Sequence, residues 1–452
     1  MPFVRRSPMP VPAAELAAWH FRPGAFERLA PPWDRVELRG TTGPLADGSR
    51  WTIRTPLVGP FAMNYVAELF DVRPGAQFRD RQLRGPFAAW QHTHRFLPDG
   101  ANSVLEDDID YRLPLGALGR LLGGRTVRST LERMFAYRHE VTRRDLARHA
   151  GPPLTFAITG SRGLVGRELV AFLTAGGHRV IRLVRDDEPP PYDDGTSRVP
   201  WEPAAGLNPK LLEGVQAVVH LASEPIAAGR WTASKKARIR DSRTGPTRRL
   251  AEAAKAAGVR TFLSASAVGV YGDRGAEELP EGAASGTGFL ADVCRDWEAA
   301  ARVEGPRVAL LRIGVVLTPK GAALGRQLLP FRLGLGAVLG RGTQFVPWVS
   351  IDDLLAAILH VARTESLAGP VNVVAPHPVP NREFGRTLAR VLRAPFLFTA
   401  PSFALQALFG EVVHEALLSS MRVVPAKLLA SGFRFEGPHL EPELRYLLGR
   451  AG

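Results

Sequence analysis

The chain has 452 residues, enough for two or three domains, and its 45% hydrophobic and 23% charged residues are the balance of a soluble globular protein. A single cysteine, Cys294, excludes an internal disulfide framework and a cysteine zinc site and fits a reducing, cytoplasmic setting. The net charge of +14 is carried by scattered arginines with no basic helix shaped to read bases, which excludes nucleic acid as an expected partner, and Met1-Pro-Phe-Val-Arg-Arg offers no apolar signal-peptide core.

Residues 1–148 do not read as alternating strands and helices. A short helix is predicted at Pro12-Ala-Ala-Glu-Leu-Ala-Ala-Trp-His. Antiparallel strands follow, opening at Trp51, Met63, Gln77, Ala88 and Ser103, with turn signals at Arg73-Pro-Gly, Arg84-Gly-Pro and Pro98-Asp-Gly. A long helix is predicted over roughly 115–146. His92 and His94 fall on one face of a strand, with Trp90 beside them. Two ligands without a third are not a metal site, so a packed or hydrogen-bonded pair, and no metal, is expected. The succession resembles the helix-grip fold of START-like and polyketide-cyclase-like proteins. The phrases that carry the resemblance are Pro31-Pro-Trp, Phe78-Arg-Asp, Gly85-Pro-Phe-Ala-Ala-Trp, Tyr111-Arg-Leu-Pro-Leu-Gly and Phe135-Ala-Tyr-Arg-His. It implies a cavity for an apolar ligand.

Gly151-Pro-Pro reads as a linker. From Leu154 the sequence gives an apolar strand, a turn with Gly160, Gly163 and Gly166, and a helix carrying Leu169, Val170, Phe172 and Leu173. This is the strand–turn–helix that holds a dinucleotide pyrophosphate. The first glycine permits the tight turn, the second lets backbone approach the phosphates, and the third lets helix pack on strand. Ser161, Arg162, Leu164 and Val165 complete the loop. Gly176-Gly177 ends the helix, and His178–Arg185 is the next strand. At its end Arg185 favours a 2′-phosphate, hence NADP over NAD, although Asp186 follows directly. Ala217–Ala222, Thr261–Ser266 and Val308–Gly314 are further strands and 243–257 a helix, so a doubly wound parallel α/β sheet of Rossmann type is expected over 153–370. A substrate-binding lobe is expected over 371–452. The longest apolar stretch, 396–409, is broken by Pro401 and too short to span a membrane, so no membrane partner is expected.

The form Thr159-Gly-x-x-Gly-x-x-Gly166 resembles the extended, epimerase-like branch of the short-chain dehydrogenase/reductases. A narrower resemblance, to atypical epimerase-like proteins with an extra C-terminal domain of unknown function, is carried by His220-Leu-Ala-Ser-Glu-Pro-Ile, Arg230-Trp-Thr-Ala-Ser-Lys-Lys, Ser264-Ala-Ser-Ala-Val-Gly-Val-Tyr-Gly272, Gly288-Phe-Leu-Ala-Asp-Val, Pro347-Trp-Val-Ser-Ile-Asp-Asp353 and Gly432-Phe-Arg-Phe. It implies an NADP-type cofactor, a small-molecule substrate and an oxidoreductase or epimerase activity. His220, Leu221, Ala222 and Ser264 would lie against the cofactor, and Ser266 would polarise a substrate oxygen. The Tyr-x-x-x-Lys proton-transfer pair of that superfamily is absent, since no tyrosine of this chain has lysine four residues on; Leu290 and Cys294 stand in its place. Tyr271, Asp292, Arg295 and Asp296 are the alternative acids. Asp352-Asp353 reads as a helix cap. Two functions stay open: an NADP-dependent enzyme of unknown substrate, or a non-catalytic NADP-binding sensor or apolar-ligand carrier. Oligomeric state is not legible.

Overall fold

The computed structural model describes residues 2–56, 62–185, 192–226 and 229–450; Asp186 lies outside them. The N-terminal unit is a seven-stranded antiparallel sheet: β1 (Pro2–Met9), β2 (Glu37–Thr41), β3 (Arg50–Pro56), β4 (Ala62–Arg73), β5 (Gln77–Arg84), β6 (Ala89–Asp99) and β7 (Asn102–Arg112). The order across the sheet is β1-β7-β6-β5-β4-β3-β2. Helices α1 (Ala13–Phe21) and α2 (Ala25–Leu29) connect β1 to β2, and the 33-residue α3 (Gly116–Arg148) follows β7. α3 buries Leu131, Phe135, His139, Thr142 and Leu146, a stripe at three- and four-residue spacing that faces the core. Sequence patterning misses β1, β2 and α2. β1 carries two prolines and two adjacent arginines at a sheet edge, and β2 is short and carries a bulge between Leu38 and Gly40.

The second unit is a seven-stranded, wholly parallel sheet. Its strands are β8 (Thr155–Thr159), β9 (Arg179–Val184), β10 (Thr196–Pro200), β11 (Ala217–His220), β12 (Thr261–Ala267), Arg307–Ile313 and Gly369–Val373. The order β10-β9-β8-β11-β12, then the last two, reverses direction at β8, so the crevice between the C-terminal ends of β8 and β11 is the topological switch point. The last strand carries the sheet past the division expected at residue 370. Three helices position the site: α4 (Leu164–Ala175), α5 (Ala233–Ala256) and α6 (Phe289–Ala301). α5 starts ten residues before the helix predicted from 243. Its first turns are polar and lack an apolar stripe, and the Thr232 side chain accepts from Lys235 N at 3.2 Å to cap it.

Residues beyond 375 return to both units. Helix Asn381–Leu392 packs its buried face on the parallel-sheet core, and Leu440–Leu447 closes it near α3. The two sheets' helices share one core, since Tyr137 and Val141 of α3 cluster with Phe172 of α4 and Leu355 of helix Ile351–Arg363. A Cβ on Gly24, just before α2, would stand 2.3 Å from Ala171 O, so the chains approach there at backbone distance. Among the described residues, no helix is long and apolar enough to cross a membrane.

Candidate functional site

Gly160 leaves β8 with φ +68°, and a Cβ there would lie 2.8 Å from Ala222 N and from Leu221 C. A Cβ on Gly166 would come 2.2 Å from Gly160 O, which is backbone and cannot give way. Gly163 caps α4 with extended backbone, and no side chain occupies the helix N-terminus. Four features that a pyrophosphate needs thus coincide: a left-handed turn, a close helix–strand approach, uncapped N–H groups and a positive dipole end. Arg162 and Gly163 are exposed on this rim, Leu164 and Val165 half-buried, and Arg185 exposed just past β9.

Ser161 is buried beneath the loop, where sequence reasoning missed its partner. Arg182, in the middle of β9, donates from Nε to Ser161 Oγ at 3.1 Å and from Nη1 to Asp194 Oδ2 at 2.6 Å. A lone arginine inside Val-Ile-Arg-Leu-Val was the available signal. It fixes the loop from below and places a cation, paired with Asp194, under the glycine turn.

His220, expected against the cofactor, is fully buried. Thr159 Oγ1 receives the N–H groups of Leu221 and Ala222 at 3.1 and 3.3 Å, so its own proton goes to His220 Nδ1 at 2.7 Å. The Nε2 proton then goes to Thr247 Oγ1 of α5 at 2.9 Å, where Trp297 Nε1 of α6 also donates at 3.0 Å. Burial alone holds the imidazole neutral and moves its pKa down to about 4. This corrects the expectation: the His220 side chain ties β8, α5 and α6 together and offers no atom to a dinucleotide. Leu221 and Ala222 do border the glycine turn.

Ser264 is fully buried and donates to Ala265 O at 3.1 Å. Ser266 donates to Glu298 Oε1 at 2.8 Å, and Glu298 is held by Arg312 through Nε–Oε1 at 2.8 Å and Nη2–Oε2 at 2.9 Å. Arg312 Nη1 also donates to the Tyr271 hydroxyl at 2.9 Å, which donates to Asn372 Oδ1 at 2.7 Å. Burial pushes the Tyr271 phenol up. The two predicted catalytic hydroxyls are therefore brought into one buried chain, Ser266–Glu298–Arg312–Tyr271–Asn372. Tyr271, expected as a proton donor, is fully buried with its phenol committed to that chain, where it braces strand ends. Glu298, Arg312 and Asn372 were not anticipated, because their pairing joins α6 to the last two strands across more than 70 residues of sequence. Cys294 is buried too, with burial, aided by Glu298, pushing its thiol up to about 12. The alternative acids face solvent in ion pairs, Asp292 with Arg295, and Asp296 with Arg240 at 3.4 Å.

A cavity of about 250 Å³ opens beside this chain, at the C-terminal end of β12. Gly269, Gly272, Leu290, His414 and Glu415 are among its walls. Glu415, from the segment Val413–Leu418, accepts the N–H groups of Phe289 at 2.9 Å and Leu290 at 2.6 Å, capping α6 from the C-terminal lobe. A larger groove of about 920 Å³ lies at the opposite, N-terminal ends of the strands, away from the glycine turn. At Asp352-Asp353 the cap is Ser350, whose Oγ accepts Asp353 N at 3.1 Å. Asp352 instead binds Arg28 of α2 at 2.8 Å.

Residues 156–375 match the NAD dependent epimerase/dehydratase family, and residues 400–447 match a domain of unknown function, DUF1731. An epimerase family protein of Mycobacterium tuberculosis is 41% identical over 300 residues, 66% of this chain and 98% of its own length. The human epimerase family protein SDR39U1 is 33% identical over 298 residues, 64% of this chain and 98% of its own. Among solved structures, the nucleoside-diphosphate sugar epimerase from Corynebacterium glutamicum superposes with a TM-score of 0.79 at 34% identity, over 99% of this chain and 90% of that one. Human SDR39U1 (isoform 2), solved with NADPH, superposes with a TM-score of 0.60 at 32% identity, over 65% of this chain and 99% of that one.

Proposed function

Since the chain belongs to the epimerase family, we propose that it is an NADP-dependent oxidoreductase or epimerase-like enzyme acting on a small-molecule substrate. The observation that carries this reading is the turn at Gly160. A side chain there would meet Leu221 and Ala222 backbone, and the helix that the turn leads into has no side-chain cap on its N-terminus. The residues fit the cofactor. The N–H groups of Ser161 to Val165 would take the pyrophosphate, Arg162 and Arg185 the 2′-phosphate, and Leu221 and Ala222 the adenosine side. The human relative solved with NADPH supports NADP over NAD. When bound, the cofactor would supply or accept a hydride. The chain's own part would be to close the site from water and to position a substrate oxygen in the cavity at Gly269, Leu290 and Glu415. Ser266 would polarise that oxygen by turning its proton away from Glu298.

The same reading divides the chain into an N-terminal unit at 1–148, a dinucleotide unit from 153 to the last sheet strand near 370, and a C-terminal lobe at 371–452. It takes the first as a helix-grip unit of START-like type. Support comes from its strand order, with the first and last strands adjacent and one long helix across a face. The apolar ligand of that likeness has less support, because buried histidines and aspartates occupy that face. A second function, a non-catalytic NADP sensor, is favoured by one observation: Leu290 and Cys294 hold the proton-transfer positions while Tyr271 is committed internally.

Fluorescence titration of the full chain with NADPH and NADH tests both. NADPH is expected to bind at least about tenfold more tightly, and Arg185→Ala to erase most of that preference. No binding of either dinucleotide overturns the proposal. Binding with oxidation of NADPH by some member of a carbonyl panel selects the enzyme, and binding without oxidation selects the sensor.

A further inference from the structure

The face of the N-terminal sheet that α1 and α3 cover gathers ionisable side chains that the dinucleotide site does not use. His92 and His94 alternate onto that face of β6. Asp80 of β5 stands opposite His92, and Asp107 of β7 opposite His94. α3 adds His139 and α1 adds His20. His92, His94, Asp107 and His139 are all at most 7% exposed, while Asp80 keeps 14% of its side chain open. Groups of this kind stay in an interior only when paired or when they hold a metal.

Three donor atoms converge. Asp80 Oδ2 lies 3.3 Å from His92 Nδ1 and 3.9 Å from His94 Nε2, and all three sit within 4.8 Å of one another. Ligand bonds of about 2.1 Å put neighbouring donors of a tetrahedral ion roughly 3.4 Å apart, so an ion needs little movement here. The opposite ring nitrogens turn to a second carboxylate. Asp107 Oδ1 is 2.8 Å from His92 Nε2 and 2.7 Å from His94 Nδ1, and Asp107 Oδ2 is 2.7 Å from His139 Nε2. His139 Nδ1 in turn lies 2.9 Å from Ser7 Oγ. Asp107 holds the His92 imidazole by a hydrogen bond, the outer arrangement of metal-bound histidines, while it lies beside His94 Nδ1 without hydrogen-bond alignment.

We propose that Asp80, His92 and His94 bind one divalent first-row transition ion, with a fourth position open to water on the Asp80 side. Two imidazoles and one carboxylate suit Zn²⁺, Fe²⁺ or Co²⁺ and not Mg²⁺ or Ca²⁺. The charges facing the site are Asp80, Asp107 and the half-buried Arg138 of α3, with His20 close to His94 at 6.2 Å between ring centroids. The proposal goes beyond the packed or hydrogen-bonded pair expected from the sequence: the third donor is 12 residues from His92 along the chain and is placed by strand register.

The test uses the full chain without an affinity tag, stripped with chelator and titrated with Co²⁺ by visible absorption. One Co²⁺ per chain is expected, displaced by Zn²⁺ and not by Mg²⁺. Asp80→Asn, whose amide keeps the shape, should weaken Co²⁺ binding about tenfold or more. Cu²⁺ bound to the unaltered protein should show two imidazole nitrogens by electron spin-echo modulation, which needs no folded variant. No stoichiometric Co²⁺ binding, unchanged affinity in Asp80→Asn, or fewer than two imidazoles would each overturn the proposal and leave a hydrogen-bonded network.

Discussion

At the scale of residues, a few backbone and side-chain demands decide the site. Gly160 sits at φ +68°, where any other residue carries about 1–2 kcal/mol of strain, and its missing Cβ leaves room against Ala222. Gly160→Ala should therefore lower the melting temperature and weaken NADPH binding at least about tenfold, read by calorimetry and fluorescence titration. This residue was legible because the constraint is local: strand, glycine turn and helix are consecutive. His220 was misassigned because its partners Thr159, Thr247 and Trp297 come from three separate elements. Its imidazole is neutral when folded, with a pKa near 4, and titrates near 6.5 when unfolded. The unfolded chain then binds more protons between those values, so this group's stability is present above about pH 6.5 and lost as pH falls to about 4. His220→Asn should flatten the pH dependence of urea unfolding across that window; an unchanged slope would show that another group controls it.

At the scale of elements, termini and strand ends were read with uneven success. The apolar strands and α4 follow from hydrophobic runs bounded by glycine, and the long α3 from its buried stripe. β1 and α2 carry no such pattern, because one is an arginine-rich edge strand and the other a single short helix. The N-terminus of α6 is satisfied from afar: Glu415 takes two of its N–H groups, a cap that no local motif announces. Glu415→Ala should cost about 1 kcal/mol of stability and change the cavity beside Leu290. Denaturant midpoints measure the first. If the cavity is the substrate site, the KM of any substrate found should move more than the affinity for NADPH.

At the scale of the whole molecule, the two sheets are joined by a buried ion cluster. Arg28 of α2 binds Asp145 of α3 through two 2.8 Å contacts and Asp352, at the start of helix Ile351–Arg363, through a third. Arg28 and Arg144 hold the Asp352 carboxyl below its usual range although burial opposes them. Removing Arg28 strands two buried carboxylates, so Arg28→Met should destabilise the full chain by about 3–5 kcal/mol, whereas exposed pairs such as Asp292–Arg295 should contribute little. One cooperative unfolding transition is expected, since both units share a core; two separated transitions would refute that coupling. The strand–glycine turn–helix and the missing tyrosine–lysine pair were determined by sequence alone, because each depends on neighbours a few residues apart. Tertiary structure alone decided the burial of His220 and Tyr271, the Arg28 lock and the meeting of Asp80 with His92 and His94. Those are pairings of charges distant along the chain, and only the register of strands and the seating of helices brings them within hydrogen-bonding distance.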